Sequence, residues 1–173
     1  MIRPATRADA PALGEMHAQS WTETYPGLVP EELLVEMSDP ARRRAAWARN
    51  LAEPLLPGGV LLALEDGAVL GFIAVCRARD AALGTAGEVA ALYLLRRAQR
   101  RGLGRALLGE GARVLLDAGC ADAAAWVLDG NAPARAFYRA TGAVEGAQQV
   151  GYRGDIAIPE TAFRWGDLAA LLR

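Results

Sequence analysis

An α/β fold with about seven strands and flanking helices is what this 173-residue sequence predicts. Three observations predict it. Apolar runs of strand length recur at seven places. Helical periodicity with recognisable caps governs most of the first third. After Gly59 the period shifts, first to consecutive strands and then to an alternation of strand and helix. With 53% apolar residues and no repeat, low-complexity tract or linker-like shift in composition, one domain over residues 1–173 with a single core is expected.

The segment IRPA reads as a short first strand. ATRADAPALGEMHAQSW reads as a helix: Thr6 and Asp9 have capping-box spacing, with aspartate in place of glutamate, and Leu13, Met16 and His17 share a face. YPGLVP breaks that helix with two prolines. A second helical segment runs from Glu31 to Met37, and a third begins with Asp39 as N-cap and Pro40 in its first turn. GVLLALEDGAVLGFIAVCRAR holds two apolar runs around EDG, a hairpin signal, and GEVAALYLL is a further strand. Leu103, Ala106, Leu107, Val114 and Leu115 then recur at helical spacing as far as Gly119. DAAAWVL is a strand, and NAPARAFYRATG a short helix capped by Asn131 and closed by Gly142. Two more strands and a final helix, WGDLAALLR, complete the chain.

Composition excludes several function classes. The formal net charge is −1, so no overall positive field favours nucleic acid. All 19 basic residues are arginine; without lysine there is neither a Walker-type phosphate loop nor Schiff-base chemistry. Cys76 and Cys120 stand far apart in apolar contexts and His17 is the one histidine, which argues against a metal site or a disulfide framework. The charged N-terminus lacks the apolar core of a signal peptide, and no run of about 18 apolar residues occurs. A cytoplasmic protein without membrane attachment is expected.

The chemistry concentrates at Arg96–Leu108, RRAQRRGLGRALL, where a strand passes through a glycine-containing turn into a helix. Helix starts carry unpaired N–H groups, and glycines let an anion approach the backbone, so the turn has the attributes of a pyrophosphate site. The dinucleotide fingerprint fails, because position 107 is leucine. Arg96 and Arg97 read as a solvated face, whereas Arg100, Arg101 and Arg105 surround the helix start and suit phosphate. RNA binding through the same arginines lacks the interleaved aromatic residues that base stacking requires.

Gln99-Arg100-Arg101-Gly102-Leu103-Gly104 resembles the Q/R-x-x-G-x-G/A signature of the GNAT superfamily of N-acetyltransferases. The strand before it, Glu88 to Leu94, is similar to that family's E-[IV]-x-x-L-Y-[VL]. Downstream, Trp126, Asn131, Ala134, Phe137, Tyr138 and Gly142 match a further pattern, and the opening IRPAT followed by aspartate is also similar. Arg96 departs from the family, where proline is common.

The resemblance implies a twisted mixed sheet whose fourth and fifth strands splay to admit acetyl-CoA, with no metal. It implies that Gln99, Arg100, Arg101, Gly102, Leu103, Gly104 and Arg105 hold the pyrophosphate and that pantetheine adds to the strand at Leu92 and Leu94. Asn131 reads first as an N-cap, with a coenzyme contact as an addition. Tyr138 is a core aromatic or, as the resemblance implies, the acid that protonates the departing thiolate. Glu88 is a strand-end carboxylate in solvent or the general base, acting directly or through water. Trp21, Tyr25 and Trp126 suit an acceptor pocket, and His17 suits the core. The implied reaction is direct attack by a small-molecule or peptide amine in a ternary complex. A non-catalytic acyl-CoA-binding regulatory module is the alternative. The acceptor's identity and a homodimer stay open.

Overall fold

The computed structural model describes residues 1–173. Seven strands form one sheet: β1 (Ile2–Pro4), β2 (Val60–Glu65), β3 (Ala68–Arg77), β4 (Gly87–Leu94), β5 (Ala123–Leu128), β6 (Val144–Arg153) and β7 (Ile156–Trp165). They lie in the order β1-β2-β3-β4-β5-β7-β6. Five helices accompany them: α1 (Ala10–Thr24), α2 (Glu31–Met37), α3 (Pro40–Ala52), α4 (Leu103–Asp117) and α5 (Ala132–Ala140). Every strand pair is antiparallel except β4–β5, which is parallel and is connected by the crossover helix α4.

Helices cover both faces of the sheet. On one face, Leu107, Leu108 and Leu115 of α4 bury against Ile73, Val75, Val89 and Phe163. On the other, Leu13 and Met16 of α1 and Trp47 of α3 pack on Leu62 and Phe72. Truncating a core ring such as Phe72 to alanine costs about 3–5 kcal/mol. Where α1 meets α3, Gly14 lets the backbones approach: a Cβ there would stand 2.6 Å from the Arg44 amide nitrogen. No helix is long and apolar enough to cross a membrane.

The local signals act as read, with shifted ends. Asp66 and Gly67 both take positive φ (50° and 80°), which makes the EDG turn the tight hairpin connection. Asp39 caps α3 by accepting the Ala41 N–H at 2.8 Å. Asp9 accepts the Thr6 N–H (2.7 Å) and hydroxyl (2.9 Å), but the turn it closes is 3₁₀, and α1 proper starts at Ala10. The C-terminal expectation needs correction. Trp165 ends β7, where it is buried, and the helix is a 3₁₀ segment from Leu168 to Leu172 whose cap is Asp167. His17 is buried against Trp47, Phe72 and Tyr93, as a core residue should be.

Candidate functional site

The site begins with a fault in the sheet. β4 and β5 share register only at Gly87↔Ala123 and Glu88↔Ala124, and beyond Glu88 they separate. Just past that point β4 carries a bulge: Ala74 pairs with Ala91 but Val75 pairs with Val89, so Ala90 is the extra residue. A bulge bends its strand and increases the local twist, which turns the rest of β4 away from β5. The Leu95 N–H donates to the Leu70 carbonyl beyond β4 on the β3 side (2.9 Å). Strand alternation therefore directs the amides of Leu92 and Leu94 into the opening.

The chain leaves β4 through a 3₁₀ turn, Arg96–Ala98, and reaches α4 by two residues of positive φ, Arg100 (60°) and Gly102 (81°). The first bond inside the helix runs from the Ala106 N–H to the Gly102 carbonyl at 3.0 Å. The amides of Leu103, Gly104 and Arg105 thus have no partner within the helix, and they cluster at its positive end. A Cβ on Gly102 would meet nothing, so glycine serves the backbone angle there. Gly104 differs: a Cβ would lie 3.3 Å from the Leu94 side chain and the Phe137 ring. Its missing side chain therefore answers a packing demand between α4, β4 and α5.

The arginines divide differently from the sequence reading. Arg96 is not merely solvated, since its N–H and guanidinium donate to Glu23 at the end of α1, each at 2.5 Å. Arg101 pairs with Glu65 in solvent, and Arg105 donates to the Ala140 carbonyl at 3.1 Å. Gln99 braces the turn by donating to the Leu94 carbonyl at 3.1 Å. Asn131 is the N-cap of α5, its Oδ1 accepting the Ala134 N–H at 3.2 Å.

Tyr138, on α5, is 7% exposed and lies edge-on to Trp165, with ring centroids 5.2 Å apart. Burial raises its phenol pKa above the usual value, and the nearby Tyr93 phenol adds to the effect. Tyr138 belongs to the core on the α4 side of the sheet.

Across the sheet, a cavity of about 370 Å³ lies under α1 and α2. Trp21, Tyr25 and Trp126, the three residues expected to line an acceptor pocket, all line it, and so does Glu88. The Trp21 and Tyr25 rings lie tilted against each other with centroids 4.1 Å apart, and the Trp126 indole donates to Asp80 at 3.1 Å. The reading of Glu88 as a strand-end carboxylate in solvent is overturned. It is 5% exposed, and its carboxylate accepts the Arg79 N–H (3.0 Å), Nε (3.1 Å) and Nη2 (2.5 Å). Such a clamp offsets the cost of burial and fixes the carboxylate's direction.

Sequence reasoning missed Arg79, Tyr93 and Glu160 as lining residues. The Tyr93 hydroxyl lies 3.0 Å from that of Tyr25. Alternation along β4 was the signal available for Tyr93, but the bulge at Ala90 shifts its phase.

The acetyltransferase (GNAT) family model matches residues 15–143. The chain is 32% identical to the uncharacterized N-acetyltransferase YuaI of Bacillus subtilis over 171 residues, which are 98% of this chain and 95% of that protein. Among solved structures, it resembles YncA, a putative acetyltransferase from Salmonella typhimurium solved with acetyl-CoA (TM-score 0.69, 23% identity, 97% and 93% of the two chains). It also resembles the PaiA N-acetyltransferase of Thermoplasma acidophilum in complex with coenzyme A (TM-score 0.64, 23% identity, 92% and 96%). A seven-stranded sheet opened at its one parallel pair, with an amide-rich helix start beside the opening, agrees with these matches. The chain belongs to the GNAT family of acetyltransferases.

Proposed function

We propose that the chain is a single-domain N-acetyltransferase that moves an acetyl group from acetyl-CoA to a primary amine by direct attack in a ternary complex. One observation supports this above the others: β4 and β5, which part beyond Glu88 and Ala124, both line the cavity under α1, and β4 runs on from there into the amide-rich turn before α4. The coenzyme fits the residues present. Unpaired amides from Leu103 to Arg105, with Arg100 and Arg101 alongside, would hold the pyrophosphate, and Gln99 would keep the turn in shape. The Leu92 and Leu94 amides would receive pantetheine as an added strand, with Asn131 at the start of α5 facing the same ligand. The coenzyme supplies an activated acyl thioester.

The chain supplies the rest. A β4 amide N–H donates to the thioester carbonyl oxygen as charge builds there. Tyr138 Oη gives its proton to the departing sulfur; a raised pKa keeps that proton in place at neutral pH. Glu88, oriented by Arg79, takes the acceptor's proton through a pocket water. Trp21, Tyr25 and Trp126 wall the acceptor. Release of free thiol from acetyl-CoA, screened across amines from amino acids to peptide N-termini, tests the proposal. Tight acetyl-CoA binding with no thiol release from any amine would make the chain a binding module instead.

A further inference from the structure

Three carboxylates line the cavity, and two are fully engaged. Asp80 accepts the Ala82 N–H (2.9 Å) and the Trp126 indole (3.1 Å), and Glu88 has its three donors from Arg79. Glu160, on β7, is different. It is 7% exposed, yet its nearest donors are Gln149 Nε2 and Arg153 Nη2, both at 3.5 Å. That is beyond the roughly 3.2 Å limit of an ordinary N–H···O bond. A carboxylate removed from water normally has several short partners, because leaving its oxygens bare is costly.

The backbone makes room for this arrangement. Glu160 faces β6, where Gly151 lies beside it; a Cβ at Gly151 would stand 2.6 Å from Glu160 Oε2. Around the carboxylate the cavity wall joins apolar and aromatic side chains, Trp21, Leu33, Leu128 and Ile158, to the guanidiniums of Arg79 and Arg153, and the three carboxylates outnumber those two cations. Resting on the acyl-transfer reading above, we propose that Glu160 is the acceptor-recognition residue: it receives a positively charged nitrogen of the acceptor, and the cavity selects a cationic amine with an apolar body. A bound ammonium donates the short hydrogen bonds the carboxylate lacks, and the aromatic wall covers the carbon skeleton.

The test uses three isosteric probes at neutral pH with CoA present and no acetyl donor, so that nothing turns over: 3-phenylpropylamine, 3-phenylpropanol and 3-phenylpropanoate. Calorimetry on the full chain should show the ammonium binding about 10-fold or more tighter than the alcohol, the range for one charge-assisted hydrogen bond. Glu160→Gln should abolish that preference. Gly151→Ala, which keeps the charge but displaces the carboxylate, should weaken it, and retained CoA binding identifies both variants as folded. Equal binding of ammonium and alcohol, preference for the carboxylate probe, no binding of any probe, or preference surviving in folded Glu160→Gln overturns the proposal. If the ammonium preference appears and depends on Glu160 while acetyl-CoA releases no thiol, the cation site stands and acyl transfer fails.

Discussion

Tyr138 and His17 are both buried aromatic rings, and burial shifts their proton equilibria in opposite directions, each towards the neutral form. For Tyr138 the neutral phenol is favoured, so the proton that the proposed acid would donate is held at neutral pH. Replacement by phenylalanine keeps the contacts with Phe163 and Trp165 and removes only the donor. CoA affinity should be unchanged while turnover falls by about 10²-fold, the lower range for a general acid; equal turnover would return Tyr138 to a purely structural role. His17 is held neutral. Its Nδ1 accepts the Trp47 indole N–H at 3.0 Å, and burial, with Arg43 adding positive charge, lowers its pKa to about 3. Between the ordinary value near 6.5 and that lowered value, the unfolded chain binds a proton that the folded chain refuses. Stability contributed by the neutral ring is therefore complete above about pH 6.5 and declines as pH falls towards 3. Thermal melts at pH 7 and pH 5 should show a loss for the parent that is smaller for His17→Phe; equal losses would locate the titration elsewhere. The residue types at the site were legible from the strand and turn they occupy. Their partners were not: nothing local in the sequence announces that Arg79 reaches forward across nine positions to Glu88, or that Gly104 packs closely against Phe137.

Elements bounded by strong local chemistry were the legible ones. Asp39 before Pro40, the Asp66-Gly67 turn and the Asn131 cap each act through atoms within a few residues, so their reading survives any tertiary arrangement. The C-terminus was misread because its decisive partner is distant: Trp165 pairs with Ala123 of β5, and that register extends β7 through a tryptophan that also fits a helix start. Helix contact makes its own demand at Gly14. An added methyl there meets Arg44 backbone atoms at 2.6 and 2.7 Å, and backbone yields less readily than the end of a side chain. Gly14→Ala should therefore destabilise by about 1–3 kcal/mol despite the better helix propensity of alanine, read as a lower denaturation midpoint. A gain in stability would mean that α1 and α3 shift apart without cost.

Across the whole molecule, the sheet divides into an antiparallel half, β1 to β4, and a second half of β5, β7 and β6, joined by two register pairs. Pattern in the sequence established strand and helix order, and the family resemblance placed the opening between the fourth and fifth strands, while the bulge at Ala90 beside it has no turn residue to mark it. If pantetheine lies along β4, CoA should slow hydrogen exchange at the Leu92 and Leu94 amides and leave Leu95, already bonded to Leu70, unchanged. Uniform slowing, or none at Leu92 and Leu94, would separate the coenzyme from this edge. The narrow junction also has a mechanical meaning. A load pulling the two half-sheets apart meets few rungs between Gly87–Glu88 and Ala123–Ala124, so the sheet should tear there first, and a ligand wedged between the strands acts as the keystone that raises the rupture force.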